Sequence, residues 1–217
     1  MIGDNSGLRD AAAALVTVLQ DDLCARVVAL ERAIAERAGS TAAAFAVDAW
    51  ESAADPQRIS GRGATRVIAG GAAFEKGGVN TSIVTGTRLP PSVIAQRPEL
   101  DGHGFFATGV SVVLHPRNPY APTAHCNYRY LESTAPDGRP SAWWFGGGSD
   151  LTPYYPDLAD VRHFHGVLRA ACDRHDAQFY PAFKAWFGHS RDGAPACRRR
   201  TADKFCRRHA ALDEAVG

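Results

Sequence analysis

Apolar residues first recur at helical spacing. Leu15, Leu19, Leu23, Val27, Leu30 and Ile34 step by 4, 4, 4, 3 and 4. That rhythm traces one stripe along a helix and predicts a helix over 8–38, stopped by Gly39. A second short helical piece is expected around Ala42–Trp50. From Arg58 the character changes. Thr65-Arg-Val-Ile68 and Val79-Asn-Thr-Ser-Ile-Val84 are strand-like runs, broken by Gly70-Gly71, Gly77-Gly78 and Gly86. Leu89-Pro-Pro-Ser92 suggests a loop leading to a short helix or turn. Residues 105–115 and 123–132 predict two longer strands, and Ala142–Phe145 a third. Helical patterning returns over Asp157–Ala177, with Leu158, Val161, Phe164, Leu168 and Ala171 on one side. A last short helix is expected over Tyr180–Trp186.

Helix, then strands, then helices is the α+β pattern: an antiparallel sheet flanked by helices. The chain has 217 residues, of which 45% are hydrophobic. A domain of that size buries about 70% of its unfolded surface without needing a staple. No window approaches the roughly 20 apolar residues that span a bilayer. The start, Met1-Ile-Gly-Asp-Asn-Ser6, lacks a basic region followed by an apolar one, so a signal peptide is not expected. Cysteines 24, 126, 172, 197 and 206 form an odd, scattered set without a CxxC pair. They suit reduced thiols in a cytoplasmic protein better than a disulfide framework. Formal net charge is +1, which argues against a dedicated nucleic-acid binder. That charge is uneven. From Phe187 onward seven Arg or Lys stand against four Asp or Glu, so the preceding 186 residues are slightly acidic.

Candidate chemistry is densest in Gly109-Val-Ser-Val-Val-Leu-His115 and His125-Cys-Asn-Tyr-Arg129. Side chains alternate faces along a strand. Ser111, Val113 and His115 therefore share one face, as do His125, Asn127 and Arg129. Pro116, Pro119 and Pro122 hold the connection between them out of a central strand. If the two strands pair, both polar sets point the same way, with Val112, Leu114, Tyr128 and Tyr130 forming core behind them. A half-exposed strand always has a polar face, so solvation alone is the competing reading. Two histidines, an Asn and an Arg are nevertheless unusual there, and an arginine in such a cluster suits a carboxylate. In Trp143-Trp-Phe-Gly-Gly-Gly-Ser-Asp150 the glycines permit close backbone approach to a ligand. Asp150 is either an acceptor for N–H donors, a general acid/base, or a turn residue capping Thr152. The flanking aromatics are pocket wall or plain core. Of His163 and His165, two apart on a helix, one at most can line a site. Eight histidines raise a metal reading, but no HExxH or His-plus-Cys spacing supports it.

These segments carry a specific resemblance. Phe105–Pro119, Ala121–Tyr130 and Trp143–Tyr155 resemble the oxygen-dependent coproporphyrinogen III oxidase family. So do Phe74-Glu-Lys-Gly-Gly-Val-Asn80, Arg162-His-Phe-His165 and Tyr180-Pro-Ala-Phe-Lys-Ala-Trp186, in collinear order from about Trp50 to Trp186. The resemblance implies a large antiparallel sheet flanked by helices, in a homodimer. It implies oxidative decarboxylation of two propionates of coproporphyrinogen III to vinyl groups, giving protoporphyrinogen IX in haem synthesis. O2 is the oxidant, CO2 and hydrogen peroxide are released, and no organic cofactor is used. By position, His125 matches the proton donor, and Ser111, Asn127, Tyr128 and Arg129 match substrate-binding residues. Asp150 matches the aspartate that holds the pyrrole N–H groups. His115, His125 and His165 match positions given as divalent-metal ligands in bacterial members.

After Trp186 the family pattern is lost. The chain reads Phe187-Gly-His-Ser-Arg-Asp-Gly-Ala-Pro-Ala-Cys-Arg-Arg-Arg200 and runs on to Gly217. The expected organisation is therefore an oxidase-like domain over 1–186, with sheet and helices over 58–186, and a divergent basic tail over 187–217. The composition shift suggests a replaced or out-of-frame tail and a domain incomplete at its C-terminus. The alternative to an active enzyme is an impaired remnant that binds porphyrinogen or associates with a full-length partner.

Overall fold

In the computed structural model, the residues described are 6–53, 59–189 and 201–208. The expectations resting on residues 1–5, 54–58, 190–200 and 209–217, among them Arg58 and Cys197, lie outside them. Helix α1 (Ser6–Ala38) opens the chain, followed by β1 (Ala46–Ser52), β2 (Ser60–Ala69) and β3 (Phe74–Gly86). A connection holding α2 (Pro91–Ile94) and a 3-10 turn (Pro98–Leu100) leads to β4 (Gly104–Pro116), β5 (Thr123–Thr134) and β6 (Pro140–Thr152). Helices α3 (Leu158–Asp173) and α4 (Phe179–His189) follow, and β7 (Thr201–Arg208) pairs with β6. All strands are antiparallel, and their order in the sheet is their order in the chain.

The α+β architecture is as expected, with two local corrections. Ala42–Trp50 is not helical; Ala46–Ser52 is an edge strand, exposed along its whole length, so alternation could not mark it. The strand predicted over Ala142–Phe145 continues through the glycines to Thr152. Gly147 fits there because its missing Cβ leaves room for the Tyr128 ring and the Asn127 carbonyl.

Helix α1 lies on one face of the sheet, but its buried stripe is not the one hydropathy suggests. Leu15 and Leu30 are exposed. The buried positions are Ala12, Val16, Gln20, Cys24, Val27, Glu31 and Ala35. Val16 and Cys24 pack with Val79, Val110 and Val112, while Val27 packs with Ile68 and Phe74. As expected, Val112 and Tyr130 are buried on this face, and Leu114 and Tyr128 pack against its core.

Two buried polar side chains in the stripe satisfy backbone groups. Gln20 Nε2 donates to the carbonyls of Ala64 (2.9 Å) and Val79 (2.8 Å), and its Oε1 accepts from Thr81 Oγ1 (3.2 Å). The Glu31 carboxylate, 0% exposed, accepts from the backbone N–H of Ala43 (3.3 Å), Ala72, Ala73 (2.9 Å) and Phe74 (3.2 Å). Burial alone pushes this carboxyl up. The four N–H donors outweigh it and hold Glu31 below the usual glutamate range. The turn it grips needs glycine twice. Gly70 has φ +68°, and a Cβ on Gly71 would run into the Glu31 carboxylate.

A separate cluster joins α3 to α4 through Phe164, Leu168, Cys172, Phe179, Tyr180 and Phe183. Asp157 caps α3 by accepting from the N–H of Ala159 at 2.6 Å. Leu158, expected on the packed side of this helix, is exposed instead.

Candidate active site

The sheet face away from α1 is assembled by register. Asn80 pairs with Ser111, Ser111 with Asn127, and Asn127 with Gly148. Directly paired residues in antiparallel strands point to the same side. The neighbouring row is Gly78, Val113, His125 and Asp150; the row on the other side is Ser82, Gly109, Arg129 and Gly146. Strands β3 to β6 thus bring Ser111, His125, Asn127, Arg129 and Asp150 to one face, as the alternation of the sequence implies for the first four. Ser111 and Arg129 are exposed, and the others are half-buried. Glycine clears the space beside Arg129. A Cβ on Gly109 would stand 2.8 Å from that of Arg129.

One end of this face is closed by the connection after β3. Leu89 and Leu100 pack there on Phe105, with Val84, Ala107, Leu131 and Trp144 beneath. Arg97 reaches back over the Trp144 ring at 5.1 Å. The polar rows lie beyond this apolar block, toward the β4–β5 and β6–α3 connections. There Tyr120 and Tyr155 stack at 4.9 Å between ring centroids.

At the centre of the polar part, His125 Nδ1 lies 2.7 Å from Asp150 Oδ2. A carboxylate at Nδ1 selects the tautomer that carries its proton there, leaving Nε2 free to exchange a proton with a ligand. The second Asp150 oxygen accepts a long bond from Thr152 Oγ1 at 3.4 Å, so one lone-pair set remains for an N–H donor. This pairing was missed in the sequence, where His125 and Asp150 were read separately. The signal was available only through the β5–β6 register.

The remaining residues are more dispersed. Tyr128 lies on the α1 face, its hydroxyl bonded to Ser149 Oγ, so its side chain does not join Asn127 and Arg129. His115 shares the face of His125 and lies 3.4 Å from Thr123 Oγ1. His165 belongs to the α3–α4 pair, where its Nδ1 meets the Tyr180 hydroxyl at 2.7 Å. Among the described residues no group of three or more His, Cys, Asp or Glu is close enough to hold a metal ion. His115, His125 and His165 therefore do not converge as a ligand set. Trp143 and Phe145 pack against Tyr130 at 6.2 and 5.2 Å, on the α1 side of the sheet rather than the polar face; Trp143 is part of the core there, and Phe145 is exposed. Burial pushes the Cys126 thiol up, and the nearby Asp150 carboxylate adds to this, so it is no ready nucleophile.

Residues 11–189 match the family model for coproporphyrinogen III oxidase. The oxygen-dependent coproporphyrinogen-III oxidase of Synechococcus sp. (strain CC9605) is 47% identical over 181 residues, 83% of this chain and 44% of its own length. That of Prochlorococcus marinus (strain NATL1A) is 48% identical over 178 residues, 82% of this chain and 45% of its own. The chain thus spans less than half the length of these curated relatives. With the match running from α1 through β1–β6 to α3 and α4, the chain belongs to the coproporphyrinogen III oxidase family.

Proposed function

We propose that this chain binds coproporphyrinogen III and supports its oxygen-dependent conversion to protoporphyrinogen IX in haem synthesis. The observation that carries the reading is the shared open face of Ser111, Asn127, Arg129, His125 and Asp150. Each reacting propionate loses its carboxylate as CO2. The ring-side CH2 gives up a proton and two electrons, and O2 takes them with a second proton to become hydrogen peroxide. The substrate carries four carboxylates and four pyrrole N–H groups. Arg129 binds a propionate through its guanidinium fork, with Ser111 and Asn127 adding neutral hydrogen bonds. Asp150 accepts from pyrrole N–H while holding Nδ1 of His125, and Nε2 of His125 moves the proton. Tyr128 acts from behind, through its hydroxyl on Ser149. O2 is a co-substrate in this reading, and no organic cofactor is needed. A divalent metal at His115, His125 and His165 does not fit the described geometry, so no step uses one.

The reading also places the protein in the cytoplasm; among the described residues no helix is long and apolar enough to cross a membrane. It includes a homodimer, supported by the outer edge of β1, which pairs with no strand among the described residues and leaves Val47 and Trp50 exposed. Sedimentation should then give a mass near twice that of the chain. The deciding assay supplies anaerobically prepared coproporphyrinogen III to this chain and admits air. Vinyl porphyrin product supports the enzyme reading. Binding without product supports a porphyrinogen-binding remnant, and absence of both rejects the assignment.

A further inference from the structure

The polar row on the open face contains a residue to which no role has yet been given. Asn80 lies on β3 in register with Ser111, which is itself in register with Asn127. Its Oδ1 is buried and has no hydrogen-bond partner among the described residues. Buried polar atoms are nearly always paired, and an unpaired one costs about 1–3 kcal/mol, so each exception calls for an explanation. Two features indicate a ligand rather than a packing defect. The amide leans toward Gly78: a Cβ built there would stand 3.5 Å from Nδ2 and 3.8 Å from Oδ1, so glycine leaves the space beside the amide open. The terminal torsion of an asparagine is also soft, so a rotation that presents Oδ1 to the open face meets little resistance. Thr65 pairs with Asn80 on the other side, which gives a row of four hydrogen-bonding side chains across four strands. At strand spacings of about 4.8 Å that row extends for roughly 14 Å, a width suited to a macrocycle rather than a single ring.

We propose that Asn80 is a further substrate-binding residue, whose Oδ1 accepts a hydrogen bond from a pyrrole N–H of the bound tetrapyrrole. This rests on reading the face as a tetrapyrrole site. The geometry gives Asn80 and Asp150 the same task on different strands. Asp150 lies in the His125 row, and Asn80 lies beside Ser111 at the other end of the polar patch.

The test titrates the 217-residue chain with coproporphyrin III, following porphyrin fluorescence, and measures thermal midpoints without ligand. Asn80→Ala should weaken binding about five- to tenfold, the worth of one net hydrogen bond. Asn80→Asp keeps an acceptor of the same shape and should restore affinity to within about threefold, a rescue that a generic packing role would not give. The midpoint of Asn80→Ala without ligand should be unchanged or higher, because an unpaired acceptor has been removed. The proposal is overturned if the parent chain binds, Arg129→Ala weakens it, and Asn80→Ala does not. It is equally overturned if Asn80→Ala lowers the midpoint and Asn80→Asp fails to restore binding. Absence of porphyrin binding by the parent chain removes both this proposal and the tetrapyrrole reading beneath it.

Discussion

Replacing Glu31 by Gln is the most informative single perturbation of the scaffold. The carboxylate accepts four backbone N–H groups, with Ala43 and Ala72 on Oε1 and Ala73 and Phe74 on Oε2. Gln retains one oxygen, uncharged, and sets an NH2 against the other two donors. Two buried N–H groups left unpaired at about 1–3 kcal/mol each, less some relaxation, give an expected loss of about 3 kcal/mol. For a chain of this size that lowers the thermal midpoint by roughly 6–12 °C. Far-UV circular dichroism on the parent chain and Glu31→Gln, at neutral pH and along an acid series, measures it. The sign in pH follows from the depressed carboxyl of Glu31. A group whose pKa is lowered by folding stabilises fully above its unfolded value, about 4.3, and loses that contribution as pH falls through the folded value. The gap between the two proteins should therefore be constant above about pH 5 and close under more acid conditions. A loss below about 1 kcal/mol, or a gap that widens in acid, would refute the reasoning.

Three further outcomes test the site. Arg129→Ala should weaken coproporphyrin III binding by about ten- to a hundredfold, the worth of a charge-assisted contact, with no change in the thermal midpoint because the side chain is exposed. Equal affinity in a fluorescence titration counts against its propionate role. Asp150→Asn should release the neutral His125 ring from its Nδ1–H tautomer, since an amide can donate to Nδ1; imidazole nitrogen NMR reads this directly. An unaltered tautomer would show that the 2.7 Å contact does not control the ring. Exhaustive chelation should leave porphyrin affinity and the midpoint unchanged. A fall reversed by adding back a divalent cation would contradict the dispersed placement of His115, His125 and His165.

The strands of the site were legible in the sequence because each has one buried and one polar face. That alternation predicted Val112 and Tyr130 inward, with Ser111, His125, Asn127 and Arg129 outward. Helix α1 was legible in extent but not in orientation. Its inner stripe includes Gln20 and Glu31, polar residues whose partners are carbonyls and amides far along the chain, and a hydropathy pattern rejects them. Strand β1 was invisible for the opposite reason, since an edge exposed on both faces has no alternation to detect. The predicted strand stopped at Phe145, before the glycines, because glycine is rare inside strands. Here Gly147 makes room for Tyr128, and Gly146 and Gly148 stand opposite Arg129 and Asn127. The His125–Asp150 contact depends on a register across β5 and β6 that residue types alone do not specify. Tyr128 was given a substrate-binding role by the family resemblance, whereas strand alternation had already put its side chain on the opposite face, where it packs against the core.

The order of the strands has a consequence for how the protein is made. Each strand hydrogen-bonds to the one synthesised just before it, so the sheet can grow one hairpin at a time as the chain leaves the ribosome. Such short-range pairing favours rapid assembly and limits the time an unpaired edge waits for a distant partner. Helix α1 is the exception. It precedes every strand yet packs on β3, β4 and β5, so its apolar stripe remains uncovered through the synthesis of about a hundred residues. The glutamate that grips the β2–β3 turn can engage much earlier than the rest of that stripe. Glu31 is thus placed to hold the waiting helix against the β2–β3 hairpin until β4 and β5 arrive.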